Sequence, residues 1–166
     1  MTTAAGVRQQ PSARLLLLAA PVIFGAHFLE EGPRFVAWFN AHVTPGITAP
    51  LFWTVNLTGL AITVAIVLIN WLSDSAISTT LAVVWLSFLM FANALFHVVG
   101  AIVDGGYMPG VATSIVLYLP FYSWFVARVV QSGRLSRTAV VISAIIGAIP
   151  MLAHGYLMVF RGSRLV

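Results

Sequence analysis

Long apolar runs joined by short polar breaks make up most of the chain. The runs extend over Leu15–Leu29, Leu51–Trp71, Ile77–Val103, Val111–Val130 and Thr138–Phe160. The last four reach the ~20 residues a helix needs to cross ~30 Å of hydrocarbon at ~1.5 Å per residue. The first is short before Glu30 interrupts it. Backbone amides and carbonyls in lipid must bond within their own segment, which predicts a helix for each run. The joints Ser73-Asp74-Ser75, Asp104 to Gly110 and Gln131 to Arg137 are short, so successive helices should be antiparallel neighbours. Between Glu31 and Pro50 the aromatic residues Phe35, Trp38 and Phe39 stand beside Arg34, bracketed by the turn pairs Gly32-Pro33 and Pro45-Gly46. This stretch predicts a short helix lying in the headgroup region. The expected fold is therefore an all-α integral membrane protein: one domain over 1–166, a compact bundle of about five transmembrane helices with a short interfacial helix after the first span.

Composition supports a lipid solvent. Hydrophobic residues make up 60% of the chain and charged residues 7%, with mean hydropathy +1.00, against roughly 25% charged in an ordinary soluble domain. The acidic residues are Glu30, Glu31, Asp74 and Asp104, and the eight basic ones are all Arg. These Arg form no clustered stripe with aromatic platforms, so the basic pI of about 10.4 points to membrane lipids as partners and away from nucleic acid. With the N-terminus cytoplasmic, Arg8, Arg14, Arg128, Arg134 and Arg137 lie inside and Arg34, Arg161 and Arg164 outside, a five-to-three preference. The expected location is a bacterial cytoplasmic membrane. The polar start followed by Leu15-Leu16-Leu17-Leu18 resembles a signal peptide but has no small-residue cleavage site, and is read as a retained first span. Cysteine is absent, which removes disulfides and thiolate metal ligands.

Ionisable groups inside membrane helices are costly and usually face the bundle interior, so each is a functional candidate. They are His27, Glu30 and Glu31 in the first run, Asn93 and His97 in the third, and His154 in the fifth. Runs one, three and five share a heading, and every one of these residues lies in the C-terminal half of its run. Parity alone therefore places them in one leaflet, where the N-terminal ends of runs two and four add Thr54, Asn56 and Tyr107. His27, Glu30 and Glu31 stand at i, i+3, i+4, and Asn93 and His97 at i, i+4. Glu30 and Glu31 point ~100° apart, so only one of them faces a common site. Pro150 removes a helical bond four residues before His154. His42, in the interfacial stretch, is expected to be solvated, and Asp74 to be a cap or turn residue.

His27-Phe28-Leu29-Glu30-Glu31, Asn93-Ala94-Leu95-Phe96-His97 and Tyr107-Met108-Pro109-Gly110 match H-x-x-E-E, N-x-x-x-H and Y-x-P-G in that order. Together they resemble the HXXEE-domain family of small bacterial membrane proteins, from the first span to the fourth. The resemblance implies enzymatic activity suspected from the polar motifs, and no substrate. The residues themselves suggest a divalent metal, zinc or else iron or manganese, held by His27, Glu30, Glu31, His97 and His154. Glu30, Glu31, Asn93 and Tyr107 are the catalytic candidates, with Asp104 beside Tyr107 at the mouth. The expected function is a membrane-embedded metal-dependent enzyme, hydrolytic in the first instance, acting on a lipid or lipophilic small molecule. Alternatives are a proton-coupled small-molecule transporter, for which polar groups reachable from both sides are lacking, and a haem protein with two axial His. Mutual pairing of the same groups, such as Glu30 with Arg34, is the structural alternative.

Overall fold

Side-chain caps and left-handed turns set the helix boundaries that hydropathy only approximates. The computed structural model describes residues 12–32 and 34–161. It contains α1 (Ala13–Glu31), α2 (Phe35–His42), α3 (Ala49–Ser73), α4 (Ala76–Asp104), α5 (Val111–Gln131) and α6 (Arg137–Phe160). All but α2 are long and apolar enough to cross a membrane, and no strand occurs among the described residues. Ser12, Thr48, Ser75 and Ser136 cap the starts of α1, α3, α4 and α6 by accepting a backbone N–H, satisfying donors that have no intrahelical partner. Asp74 ends α3 at φ +43° and Gly105 ends α4 at φ +68°. The polar start through residue 11, with Arg8, lies outside the described residues, as do Pro33 and Arg164.

Three irregularities have local causes. α1 tightens to i→i+3 bonds at Leu18 and Ala19, 3.3 and 2.9 Å, just before Pro21, whose ring denies the ladder its next donor. α5 widens into a π-helical turn over Ser114–Tyr118 ahead of Pro120, which likewise cannot donate. α4 carries a π-helical turn over Ser87–Ala92, where the Ser87 hydroxyl takes the Val83 carbonyl at 2.6 Å and meets the Tyr122 hydroxyl at 2.6 Å. This turn lies immediately before the Asn93–His97 segment.

The core is aromatic and aliphatic, with Phe24, Leu86, Met90, Tyr118 and Phe125 buried between α1, α4 and α5. Outward faces present Val22, Val55, Leu72, Ile102 and Ile146, apolar groups suited to lipid. α6 lies against α4 so closely that a Cβ on Gly147 would overlap the Val84 carbonyl. The interfacial helix differs from expectation in its facing. Phe35, Trp38 and Phe39 are buried on the bundle, not spread among headgroups, because the bundle end beneath α2 is hollow, with Phe35 and Phe39 on the cavity wall. The Trp38 indole N–H donates to Asp104 Oδ2 at 3.2 Å, and His42 lies 3.7 Å from Asp104 Oδ1, so α2 is tied to the end of α4.

At the opposite end Asp74 pairs with Arg134 and lies 3.9 Å from Arg14, which also donates to the Trp71 carbonyl. The Arg134 hydrogen bond holds the Asp74 carboxyl below its usual range. These exposed pairs link the α3–α4 and α5–α6 joints and contribute little energy.

Candidate metal centre

The C-terminal end of α1, the C-terminal half of α4 and the N-terminal end of α5 meet beneath α2. There His27, Glu31 and His97 are 1%, 5% and 0% exposed, a concentration of ionisable groups that burial penalises unless they share a partner. His27 and Glu31 are one turn apart on α1, so both reach the same point. Glu31 Oε1 lies 3.0 Å from His97 Nε2 and 3.5 Å from His27 Nε2. One ligand atom from each of the three residues falls within 4.8 Å of the others. Neither Nε2 meets Glu31 with the geometry of a hydrogen bond, and His97 Nδ1 has no hydrogen-bond partner either. Two ligand atoms each ~2.0–2.1 Å from one tetrahedral ion would be about 3.3 Å apart, a spacing that the observed 3.0 and 3.5 Å bracket. Two imidazoles and a carboxylate suit zinc and non-haem iron or manganese.

The surrounding shell fixes the His27 ring. Its Nδ1 lies 2.8 Å from Thr113 Oγ1, and that hydroxyl donates to the Gly110 carbonyl at 3.3 Å. A Thr113 hydrogen directed to Gly110 leaves Oγ1 free to accept from Nδ1–H, the tautomer that turns the Nε2 lone pair toward Glu31. Tyr118 stacks on the same ring at 4.2 Å between centroids. Gly110 closes the site from the α4–α5 joint. It sits at φ +93°, and a Cβ there would come 2.6 Å from His97 Cε1 and 3.0 Å from Glu31 Cγ, so the close approach requires glycine twice over.

Glu30 turns to a different task. Its carboxylate accepts the Tyr107 hydroxyl, the Gly110 amide at 3.1 Å, the Ala112 amide at 3.2 Å and the Thr113 amide at 2.8 Å. It thus caps the start of α5, where free N–H groups favour an anion, and these donors take the place of the Arg34 partner that mutual pairing would have supplied. Tyr107, exposed on the α4–α5 joint, donates to Glu30, and that hydrogen bond pushes its phenol up to about 12. Glu30 and Tyr107 therefore hold Thr113 and Gly110 in position and do not join the three-residue group.

A cavity of about 640 Å³ opens from this group into the bundle, within the range of small-molecule sites. His27, Glu31, Asn93 and His97 form its polar end, with Thr54, Asn56 and His154 also on its wall. His154 is exposed and stands apart from the three convergent side chains that could hold an ion. Asn93 Oδ1 is buried without a partner. The His27 and His97 rings meet edge to face at 4.9 Å between centroids, leaving no room for a porphyrin between them. Sequence reasoning missed Thr113, Ser114 and Tyr118. A signal was available, since three polar groups within six residues at the start of an otherwise apolar span are unusual.

No curated protein and no solved structure matches the chain. Residues 18–125 match the family model described as a protein of unknown function with HXXEE motif, and the chain belongs to that family.

Proposed function

We propose that this HXXEE-family protein is a membrane-embedded metal-dependent enzyme acting on a lipophilic molecule, with a divalent ion held by His27, Glu31 and His97. The observation that carries the reading is three buried ligand atoms within 4.8 Å of one another at the polar end of an otherwise apolar cavity. A bound ion would supply a Lewis acid and lower the pKa of a coordinated water to about 7. Hydrolysis of an ester or amide is the first reaction class.

The chain's own residues take the remaining roles. Thr113 keeps the His27 proton on Nδ1 and so keeps Nε2 free. Phe35 and Phe39 cover the cavity and exclude bulk water, which strengthens every charge interaction inside. Asn93, one turn before His97, offers its amide to a substrate carbonyl oxygen at the cavity wall. His154, the cavity imidazole outside the ligand set, is placed to carry a proton. In hydrolysis the acyl carbon–oxygen or carbon–nitrogen bond breaks, water oxygen joins the acyl carbon, and the water's proton passes to the leaving atom.

The test is metal analysis of detergent-purified, tag-free protein after exposure to zinc, iron(II) and manganese. One ion per chain is expected, lost in His97→Ala and Glu31→Gln with the fold retained by circular dichroism. Wild type that retains none of the three metals would overturn the reading.

A further inference from the structure

The cavity has a gradient of polarity and a floor. Measured away from Glu31 and His97, the deepest wall residue is Phe24 on α1, Ile62 on α3 and Trp85 on α4. Trp85 precedes His97 by twelve residues, about 18 Å along a helix. Its indole is held in place: Nε1–H donates to Thr63 Oγ1 at 2.9 Å, and Thr63 in turn donates to the Gly59 carbonyl at 2.8 Å. The indole N–H being engaged, the floor presents only ring carbon to the cavity.

The mouth faces lipid. Wall residues of α1 and α2 are buried, whereas Thr54 and Val55 of α3 and His154 of α6 are exposed at the opening, and Ile62, at its far edge from Glu31, is 39% exposed, so the slot is open sideways along α3. Beside them Leu57 and Ile149 face outward, so a molecule reaches the opening from the hydrocarbon.

The wall's charge selects the head of that molecule. Glu31 is the only Asp, Glu or Arg on the cavity wall among the described residues, and the chain has no Lys. Two neutral imidazoles, one carboxylate and a divalent ion sum to a single positive charge, which a coordinated hydroxide cancels. Nothing remains to neutralise a phosphate, whose recognition ordinarily calls on Arg or Lys.

We propose that the site takes a neutral lipid with one hydrocarbon chain, its carbonyl-bearing head at the His27–Glu31–His97 group, and that Phe24, Ile62 and Trp85 set the chain length. The inference rests on the metal-centre reading for its head and on the cavity alone for its chain.

The experiment uses zinc-loaded protein in phosphatidylcholine nanodiscs and n-alkyl hydroxamic acids, which are uncharged in solution at neutral pH and chelate metal as the hydroxamate, the proton passing to the hydroxide they displace. Bromine, a tryptophan quencher, is placed at successive carbons, and the Trp85 signal is taken as wild type minus Trp85→Phe. Quenching is expected to rise toward the chain end. Against free aqueous ligand, unlabelled chains should tighten about fourfold per methylene, then level off beyond the length that meets the floor. Trp85→Leu moves the levelling to longer chains, and Ile62→Phe, which narrows the same layer without disturbing the Thr63 bond, moves it to shorter ones. An alkyl phosphate of equal length binds about tenfold more weakly or worse, a difference of 1.4 kcal/mol or more.

Metal bound with a flat quenching profile, or with a levelling point that neither substitution moves, overturns the chain inference and leaves the metal centre standing. A rising profile that chelators do not alter overturns the metal's part and supports the chain channel. Equal or tighter binding of the phosphate overturns the neutral head.

Discussion

Thr113→Val removes one hydroxyl and little else. Valine keeps the branched shape, and the residue 113 amide still donates to Glu30 Oε2 at 2.8 Å, so the start of α5 is preserved. What is lost is the acceptor 2.8 Å from His27 Nδ1 and the longer, 3.3 Å bond to the Gly110 carbonyl. A buried donor left without a partner costs about 1–3 kcal/mol, and the imidazole relieves that cost by rotating or by moving its proton to Nε2. Either response withdraws the lone pair from the ion. Removing such a supporting partner typically weakens metal binding about 10–100-fold, or about 1.4–2.7 kcal/mol, which agrees with the desolvation figure. Competition for zinc against a chelating dye measures the change, and ¹⁵N chemical shifts of the His27 ring report which nitrogen holds the proton. Thr113→Ser, which restores the hydroxyl, should recover most of the affinity. Valine protein that binds zinc as tightly as wild type, with an unchanged melting temperature, would refute the assignment of the Nδ1 proton and of His27 as a ligand.

Other substitutions separate the roles of neighbouring residues. Glu30→Gln should lower stability by about 1.5–3 kcal/mol, the range for hydrogen bonds to a charged group, yet keep one ion per chain, whereas Glu31→Gln should lose the ion; thermal melts with metal analysis distinguish them. Gly110→Ala adds a strained φ and a Cβ against His97, and is expected to weaken zinc binding at least tenfold and to cost about 1–3 kcal/mol in a thermal melt. Tyr107 should ionise near pH 12 in an ultraviolet difference titration between wild type and Tyr107→Phe, against about 10 for a free phenol. Because its folded pKa is raised, the Tyr107–Glu30 contribution to stability is fully present below pH ~10 and is lost as pH rises through about 12. Gly147→Ala should reduce melting stability sharply, since the added methyl meets backbone at the Val84 carbonyl and the α4–α6 pair must separate to admit it.

The helices were legible because apolar length is a one-dimensional property. Each predicted run lies within an observed helix, with ends displaced by caps such as Thr48 and Ser136. The meeting of α1 and α4 was legible from parity, which brought His27, Glu31 and His97 to one end of the bundle. What parity lacks is azimuth. It does not say which of Glu30 and Glu31 faces inward, and the answer depends on where the amides of Gly110, Ala112 and Thr113 lie, 80 residues or more away in sequence. His154 illustrates the same gap: it reaches the correct end and the cavity wall, but not the ligand group. The buried facing of Phe35, Trp38 and Phe39 was illegible because an aromatic face suits headgroups and a hollow bundle end equally well.

The π-helical turn at Ser87–Ala92 makes α4 two instruments on one shaft. Below it, Trp85 and Val84 are keyed to the deep cavity and to α6; above it, Asn93 and His97 are keyed to the polar end. Excising a single residue from the turn would swing the upper half by about 100° while leaving the lower half where it is. The aim of His97 and the far end of the cavity are thereby set by separate halves of one helix.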